Sequence, residues 1–353
     1  MTTSSSSRLQ SLDLLRGLDM LLLTVFGPLL WAIDRVWGVP PWICEQLVHA
    51  RWAGFTLWDL IMPLFIFMSG AAIPFAVPKR LTDGRAGWPF WRHVLGRVAF
   101  LWITGMVVQG NLLSLDPSRF FYYSNTLQAI AAGYLIAAPA FLMPRRWMRV
   151  TLPLVLAGGY TFLLATLGDA TFEENFALRV ERWLFPSYKE GYAFTLTSMM
   201  FGAVSLCGMN CAEWLRGEAS PWRKVGVLAL VGGVLLGGGF LLELWEPPIK
   251  RVFNLTFTVQ AMGWSVLALS MLYMLADVLH LCRGPGIVTL FGQHALTAYL
   301  CVEAFAPLLH HAARILTQGF PHWFGNGPQP FIQSLASAAL IVFVLYLRRR
   351  VKC

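Results

Sequence analysis

Apolar blocks, each near twenty residues long, follow one another along the chain, separated by short joints rich in Pro, Gly, Arg and Lys. They cover about residues 14–37, 55–78, 92–115, 125–143, 148–168, 192–214, 224–245, 254–280, 286–311 and 331–348. Crossing ~30 Å of hydrocarbon takes roughly 20 helical residues, whereas a membrane strand takes about ten with alternating polarity. The pattern therefore predicts an all-α, polytopic transmembrane helical bundle of about ten spans, with both termini on one side. Pro63 and Pro74 should kink the second span, because each removes a backbone donor. Gly232, Gly233, Gly237, Gly238 and Gly239 predict close helix contact along the seventh.

No linker or shift of composition divides these blocks, and the two halves show no repeat. The expectation is one integral membrane domain over 1–353, with a short cytoplasmic tail at 1–10 and a basic one at 348–353. A polar start followed by an apolar run without a small-residue cleavage site predicts an uncleaved first span.

Composition strengthens this picture. With 57% hydrophobic and 13% charged residues, the chain lies far from soluble domains, of which roughly a quarter is charged. The net charge of +9 is scattered over short joints, which excludes a nucleic-acid face and fits the positive-inside rule. Arg8, Arg16, Lys79, Arg80, Arg145, Arg146, Arg149, Arg216, Arg223 and Arg348 to Arg350 fall on one set of ends, making both termini cytoplasmic. The loop containing His49 then lies on the outer face, with those near 116–124, 169–191, 246–254 and 317–329. The expected location is integral to a membrane, as in a bacterial inner membrane. Cys44, Cys207, Cys211, Cys282, Cys301 and Cys353 form no Cys-x-x-Cys pair, so no metal is expected. Gly-x-Gly-x-x-Gly, Walker, His-Glu-x-x-His and Gly-x-Ser-x-Gly patterns are also missing.

Ionisable groups near hydrocarbon are costly and are kept mainly for substrate or proton handling. His49 stands at the mouth of the second span, and Asp59 follows within it, placed to orient or electrostatically support the imidazole. An imidazole there can take a proton from an attacking amine or hydroxyl, or attack an acyl group itself. Asp13 and Arg16, spaced i,i+3, either pair with each other or meet a phosphate-bearing ligand. Gln109, Asn111, Asn125 and Gln128 either bond sugar hydroxyls or join helices. Lys250 and Arg251 either bind an anion or snorkel. Gln293, His294 and Glu303 fall in the ninth span. The stretch 169–191 mixes Glu173, Glu174, Arg179, Glu181 and Arg182 with Phe176, Trp183 and Phe185, the composition of an amphipathic cap or of a solvated connector.

Several blocks together resemble one family. These are Arg8-Leu-Gln-Ser-Leu-Asp13-Leu-Leu-Arg16-Gly17, His49-Ala-Arg-Trp52-Ala-Gly54 through Asp59 and Pro63 to Gly70, Asn125-Thr-Leu-Gln128, Pro248-Ile-Lys250-Arg251-Val-Phe-Asn254, and Phe291-Gly-Gln293-His294-Ala-Leu-Thr-Ala-Tyr299. They are similar to the catalytic domain of heparan-alpha-glucosaminide N-acetyltransferase and its bacterial relatives, over nearly the whole chain. The resemblance implies a transmembrane acyltransferase that carries an acetyl group from cytoplasmic acetyl-CoA, a co-substrate, to the nitrogen of an amino sugar or oligosaccharide at the opposite face. It implies His49 as the active-site histidine and Lys250 as a basic position of the site; Asp59 is expected to act catalytically with His49, and Trp52, Asn125, Gln128, Lys250 and Asn254 are expected on the acceptor. Asp13, Arg16, Gln293 and His294 are expected on the coenzyme. Two positions depart from the family pattern: an Asn is replaced near Gly27, and Trp-Asn-Gly reads Trp52-Ala53-Gly54. A sugar or amino-sugar permease is the alternative function, and a non-catalytic membrane partner is a third. Membrane lipid and a second copy of the chain are the expected macromolecular surroundings.

Overall fold

The computed structural model describes residues 9–81, 86–167, 175–185, 193–281 and 286–351, and among these every regular element is helical. Arg8, Arg85, Cys282, Glu173, Glu174 and Cys353 lie outside the described residues. Among the described residues, six helices are long and apolar enough to cross a membrane: Gln10–Trp37, Leu57–Ala76, Arg146–Leu167, Pro221–Leu242, Leu255–Val278 and Gln329–Val351. Trp88–Val108, with Arg92, His93 and Arg97, and Ser198–Arg216, with Asn210 and Glu213, are long enough but more polar. Thr126–Ala140 is apolar but short.

The helices break where the sequence removes a donor. Within Gln10–Trp37 the segment Leu22–Phe26 widens to π geometry just ahead of Pro28, and Thr24 Oγ1 donates to the Met20 carbonyl at 2.7 Å. The second block is interrupted at Ala72, before Pro74, and resumes as Ile73–Ala76. The block expected as one continuous ninth span is instead three helices, Ile287–Gln293, Ala295–Glu303 and Ala306–Thr317. His294 leaves helical geometry at φ −120°, ψ 29°, and Phe305, before Pro307, does so at φ −110°, ψ 16°.

The chain forms two compact units. One comprises Met62–Met274 with Ala50–Phe55 and Leu9; the other comprises Gln10–His49, Thr56–Ile61 and Leu275–Cys353. In the first unit, Ser198–Arg216 packs against Thr126–Ala140 and Arg146–Leu167, and Trp88–Val108 lies on Thr126–Ala140. Ile73, Val77, Phe90, Val94, Tyr134, Leu206 and Met209 form a buried core there. Lipid offers no hydrophobic drive for helix association, so close backbone approach matters more. Gly70 lies against the Ser205 carbonyl and Gly208 against that of Phe67, a reciprocal crossing with no room for a Cβ on either side. Pro221–Leu242 packs along Leu255–Tyr273 through Gly232 and Gly239, whereas Gly233, Gly237 and Gly238 face open space.

The second unit repeats the device. Gly17 abuts the Val288 carbonyl, and Gly292 abuts that of Asp13, crossing Gln10–Leu21 over Ile287–Gln293. Asp277 caps the first helix from far along the chain, its carboxylate accepting the Gln10 amide at 3.2 Å and the Ser11 amide at 3.0 Å. Gln329–Val351 packs on Gly27–Trp37 and Ala306–Thr317.

Gly208→Val is expected to lower stability by about 1–3 kcal/mol or more, because the added carbons meet backbone that cannot yield. Gly237→Ala, facing open space, should leave the melting temperature unchanged. Thermal unfolding of both variants in detergent checks the pair, and equal melting temperatures would refute the crossing.

Candidate functional site

The second unit holds His49. Leu57–Ala71 is preceded by Thr56 and carries Asp59 in its first turn, the Thr-x-x-acid spacing of a capping box before an apolar run. The structure closes that box: the Thr56 amide donates to Asp59 Oδ2 at 3.2 Å, and the Asp59 amide reaches Thr56 Oγ1 at 3.3 Å. One hydroxyl proton of Thr56 is shared between Asp59 Oδ2 at 3.0 Å and the Val48 carbonyl at 2.8 Å. Gln46 completes the cap, its side-chain oxygen accepting the Leu57 amide at 3.0 Å and its carbonyl the Trp58 amide at 3.0 Å. The turn that ends in His49 is thereby fastened to the helix start.

The second carboxylate oxygen, Asp59 Oδ1, lies 2.8 Å from His49 Nδ1. The Asp59 side chain is fully buried, while that of His49 is 44% exposed. A carboxylate at Nδ1 holds the proton on that nitrogen and leaves the lone pair on Nε2. Such an imidazole can accept a proton or attack an electrophilic carbon at Nε2. Thr56 is absent from the sequence-based candidates, although its capping spacing was legible. Gly27 lies beneath the Trp58 indole, where a Cβ would come within 2.7 Å of Cη2 and Cζ3. The ring occupies the space that an Asn side chain at this position would need.

In the same unit, the glycine crossing lays the helix that carries Asp13 and Arg16 on the helix that ends at Gln293 and His294. Arg16 Nη1 lies 3.7 Å from Asp13 Oδ1, and the Asp13 carbonyl meets Gly292, directly ahead of Gln293 and His294. Gln293 is exposed, and His294 is buried at the helix break.

The first unit holds the remaining candidates. Residues 247–254 form a tight turn through Lys250–Val252, closed by Phe253 in the left-handed region at φ 46°. Asn254 governs it: Oδ1 accepts the Ile249 amide at 2.9 Å and the Phe257 amide at 3.1 Å, while Nδ2 donates to Pro247 O at 2.8 Å. Lys250 is buried within this turn. The Tyr160 hydroxyl donates to the Val252 carbonyl. Gly54, at φ +131°, donates to the Pro248 carbonyl at 2.9 Å, and Phe55 packs on Phe257, so Ala50–Phe55 is stitched to the turn. Trp52 from this segment lines a cavity of about 220 Å³ with Thr161, Leu164, Asn175, Glu246 and Asn254.

Asn125 and Gln128 are buried together and form a second capping box, at the start of Thr126–Ala140. Asn125 Oδ1 accepts the Leu127 amide at 2.9 Å, and its Nδ2 donates to the Gly105 carbonyl at 2.6 Å, joining two helices. Gln128 Oε1 accepts the Ser124 amide at 2.8 Å, and Nε2 donates to the Tyr122 carbonyl at 2.8 Å. Their polar atoms thus serve the backbone.

Asn175 was not among the sequence candidates. Its Oδ1 caps Phe176–Leu184 by accepting the Leu178 amide at 2.9 Å. Ala177, Leu178 and Glu181 are buried on one face of that helix, with Arg179, Arg182 and Trp183 exposed, so the segment is amphipathic. Glu181 Oε2 accepts the Phe194 amide at 3.2 Å and the Thr195 amide at 2.9 Å, while Oε1 is buried without a partner. Burial pushes the Glu181 carboxyl above its ordinary range, and the two amides oppose that shift.

The sequence profile described as heparan-alpha-glucosaminide N-acetyltransferase, catalytic, matches residues 8–232. No curated protein sequence matches the chain.

With a raised folded-state value, Glu181 favours the folded form when protonated. Its contribution is full below the unfolded carboxylate range and is lost as pH rises through the raised value. Glu181→Gln keeps an acceptor and removes the charge, so it is expected to raise the melting temperature near neutral pH and flatten its decline with pH. A parallel pH dependence in both proteins would contradict this.

Proposed function

Because the chain belongs to the family of the heparan-alpha-glucosaminide N-acetyltransferase catalytic domain, we propose that it transfers an acetyl group from cytoplasmic acetyl-CoA to the amine of a glucosamine-like sugar at the outer face of the membrane. The observation that carries this reading is the 2.8 Å contact between a fully buried Asp59 and the Nδ1 of a half-exposed His49. In the proposed reaction His49 Nε2 takes a proton from the acceptor amine as its nitrogen attacks the thioester carbonyl carbon. The carbon–sulfur bond breaks, and the imidazolium returns the proton to the departing CoA thiolate. One acetyl amide and one free thiol result. Asp59 keeps the imidazole in the productive tautomer and offsets its transient positive charge.

Asp13, Arg16, Gln293 and His294 are the proposed coenzyme contacts, supported by their convergence at the Gly17 and Gly292 crossing. The cavity lined by Trp52, Asn175, Glu246 and Asn254 is the proposed sugar contact. It offers an aromatic face from Trp52 and a carboxylate from Glu246, groups suited to a sugar ring and its amine. Asn254 contributes chiefly by shaping the turn that carries Lys250, and Asn125 and Gln128 by fixing helix ends. The chain is proposed to cross a bacterial inner membrane about ten times with both ends cytoplasmic, a reading supported by Arg348, Arg349 and Arg350 in the last turn of the final helix.

Purified protein in liposomes, supplied with radiolabelled acetyl-CoA and a panel of amino sugars, is expected to yield an acetylated sugar and free CoA. His49→Ala should lose about 10²–10⁴-fold in rate. Trp52→Ala should raise KM for the sugar with less effect on kcat. Absence of product across the panel, with sugar flux intact in wild type and His49→Ala, would overturn the transferase and favour a permease.

A further inference from the structure

Arginine inside a bundle of apolar helices is costly, and it is retained where it is paired or meets an anion. Arg97 stands midway along Trp88–Val108, and among the described residues no carboxylate lies within 4.0 Å of it. Its guanidinium carbon sits 4.4 Å from the centroid of the Tyr134 ring, and Nη2 reaches Ser69 Oγ at 3.4 Å. Tyr134 is only 1% exposed, yet its hydroxyl makes no hydrogen bond. His93, one turn earlier on the same helix face, has a buried Nε2 that also lacks a partner. Arg80 stands between Val77 and Leu81, which pack with the core that holds Val94 and Tyr134, and its guanidinium donates to the Ala76 carbonyl.

Two guanidinium groups, a phenol proton and an imidazole nitrogen therefore lie on elements packed in one core, and among the described residues no carboxylate pairs with either guanidinium. The cation–π contact with Tyr134 offsets part of the cost of burying Arg97 but leaves its outward N–H groups unused. Helical side chains lean toward the helix N-terminus, which brings the Arg97 guanidinium back toward the level of His93. The exposed Trp88 and Trp91, at the start of the same helix, are residues of the kind that anchor at the membrane interface.

We propose that Arg97, Arg80 and Tyr134 form a phosphate-binding site, distinct from the His49 centre. The ligand is a phosphate group, accepted by the guanidinium fork of Arg97 and the Tyr134 hydroxyl and neutralised further by Arg80. Its source is either a phospholipid headgroup or a free phosphate, and the site does not depend on the acetyl-transfer reading.

The test is thermal unfolding of the purified full chain, delipidated in detergent and titrated with phosphatidylglycerol, with inorganic phosphate, and with diacylglycerol as a lipid lacking phosphate. Wild type should be stabilised by phosphatidylglycerol and not by diacylglycerol. A response to inorganic phosphate as well would identify a free-phosphate site, and a response to the lipid alone a headgroup site. Arg97→Gln and Arg80→Gln should each weaken the binding about tenfold or more. Should Arg97→Gln fail to fold, Arg80→Gln, at the end of its helix, reads the same effect. A wild-type protein indifferent to every phosphate-bearing ligand, or variants that respond as wild type does, would overturn the site.

Discussion

A carboxylate with no exposed surface, in the first turn of a helix long and apolar enough to cross a membrane, sets the terms for everything around it. Desolvating Asp59 is tolerable only because both oxygens are engaged, one by the backbone and hydroxyl of Thr56 and the other by His49. The same group therefore starts a helix, anchors the turn that precedes it and orients an imidazole. Its neighbourhood shows the consequence, since Gln46, Val48 and Trp58 are all drawn into the cap. Under the proposed function this rigidity is what lets a half-exposed His49 keep one nitrogen pointed at chemistry.

Elsewhere the chain meets two needs of a membrane protein with a small set of devices. Close helix approach comes from reciprocal glycines, Gly70 with Gly208 and Gly17 with Gly292, which admit a carbonyl where any side chain would collide. Satisfaction of helix ends comes from buried amides and acids: Asn125 with Gln128, Asn175, Asn254, and Asp277 acting on Gln10 and Ser11. In an interior without water an unpaired backbone donor is expensive, so these polar side chains go to the backbone first.

That priority explains which parts of the molecule were legible in sequence. The helical class, the break near Pro74 and the pairing of Asp13 with Arg16 follow from periodicity, donor loss and i,i+3 spacing, whereas Pro63 sits inside the unbroken helix Leu57–Ala71. The ninth block misled, because hydropathy registers apolar residues but not the departures from helical geometry at His294 and Phe305. Asn125 and Gln128 carried two open readings, and only the geometry distinguishes amides engaged by neighbouring backbone from amides left for a ligand. Thr56 and Asn175 were readable as caps but not as parts of a site, because their importance depends on what they are tied to. Nor could spacing alone bring Trp52 to Asn175, Glu246 and Asn254, which are far apart in the chain.

The central claim is that Asp59 acts through His49, and a double-mutant cycle on kcat/KM for acetyl transfer tests it directly. Rates for wild type, His49→Ala, Asp59→Asn and the double variant are compared at one pH. If the carboxylate works by holding the imidazole, the double variant should be no slower than His49→Ala alone. Losses that multiply would show two independent contributions and contradict the account.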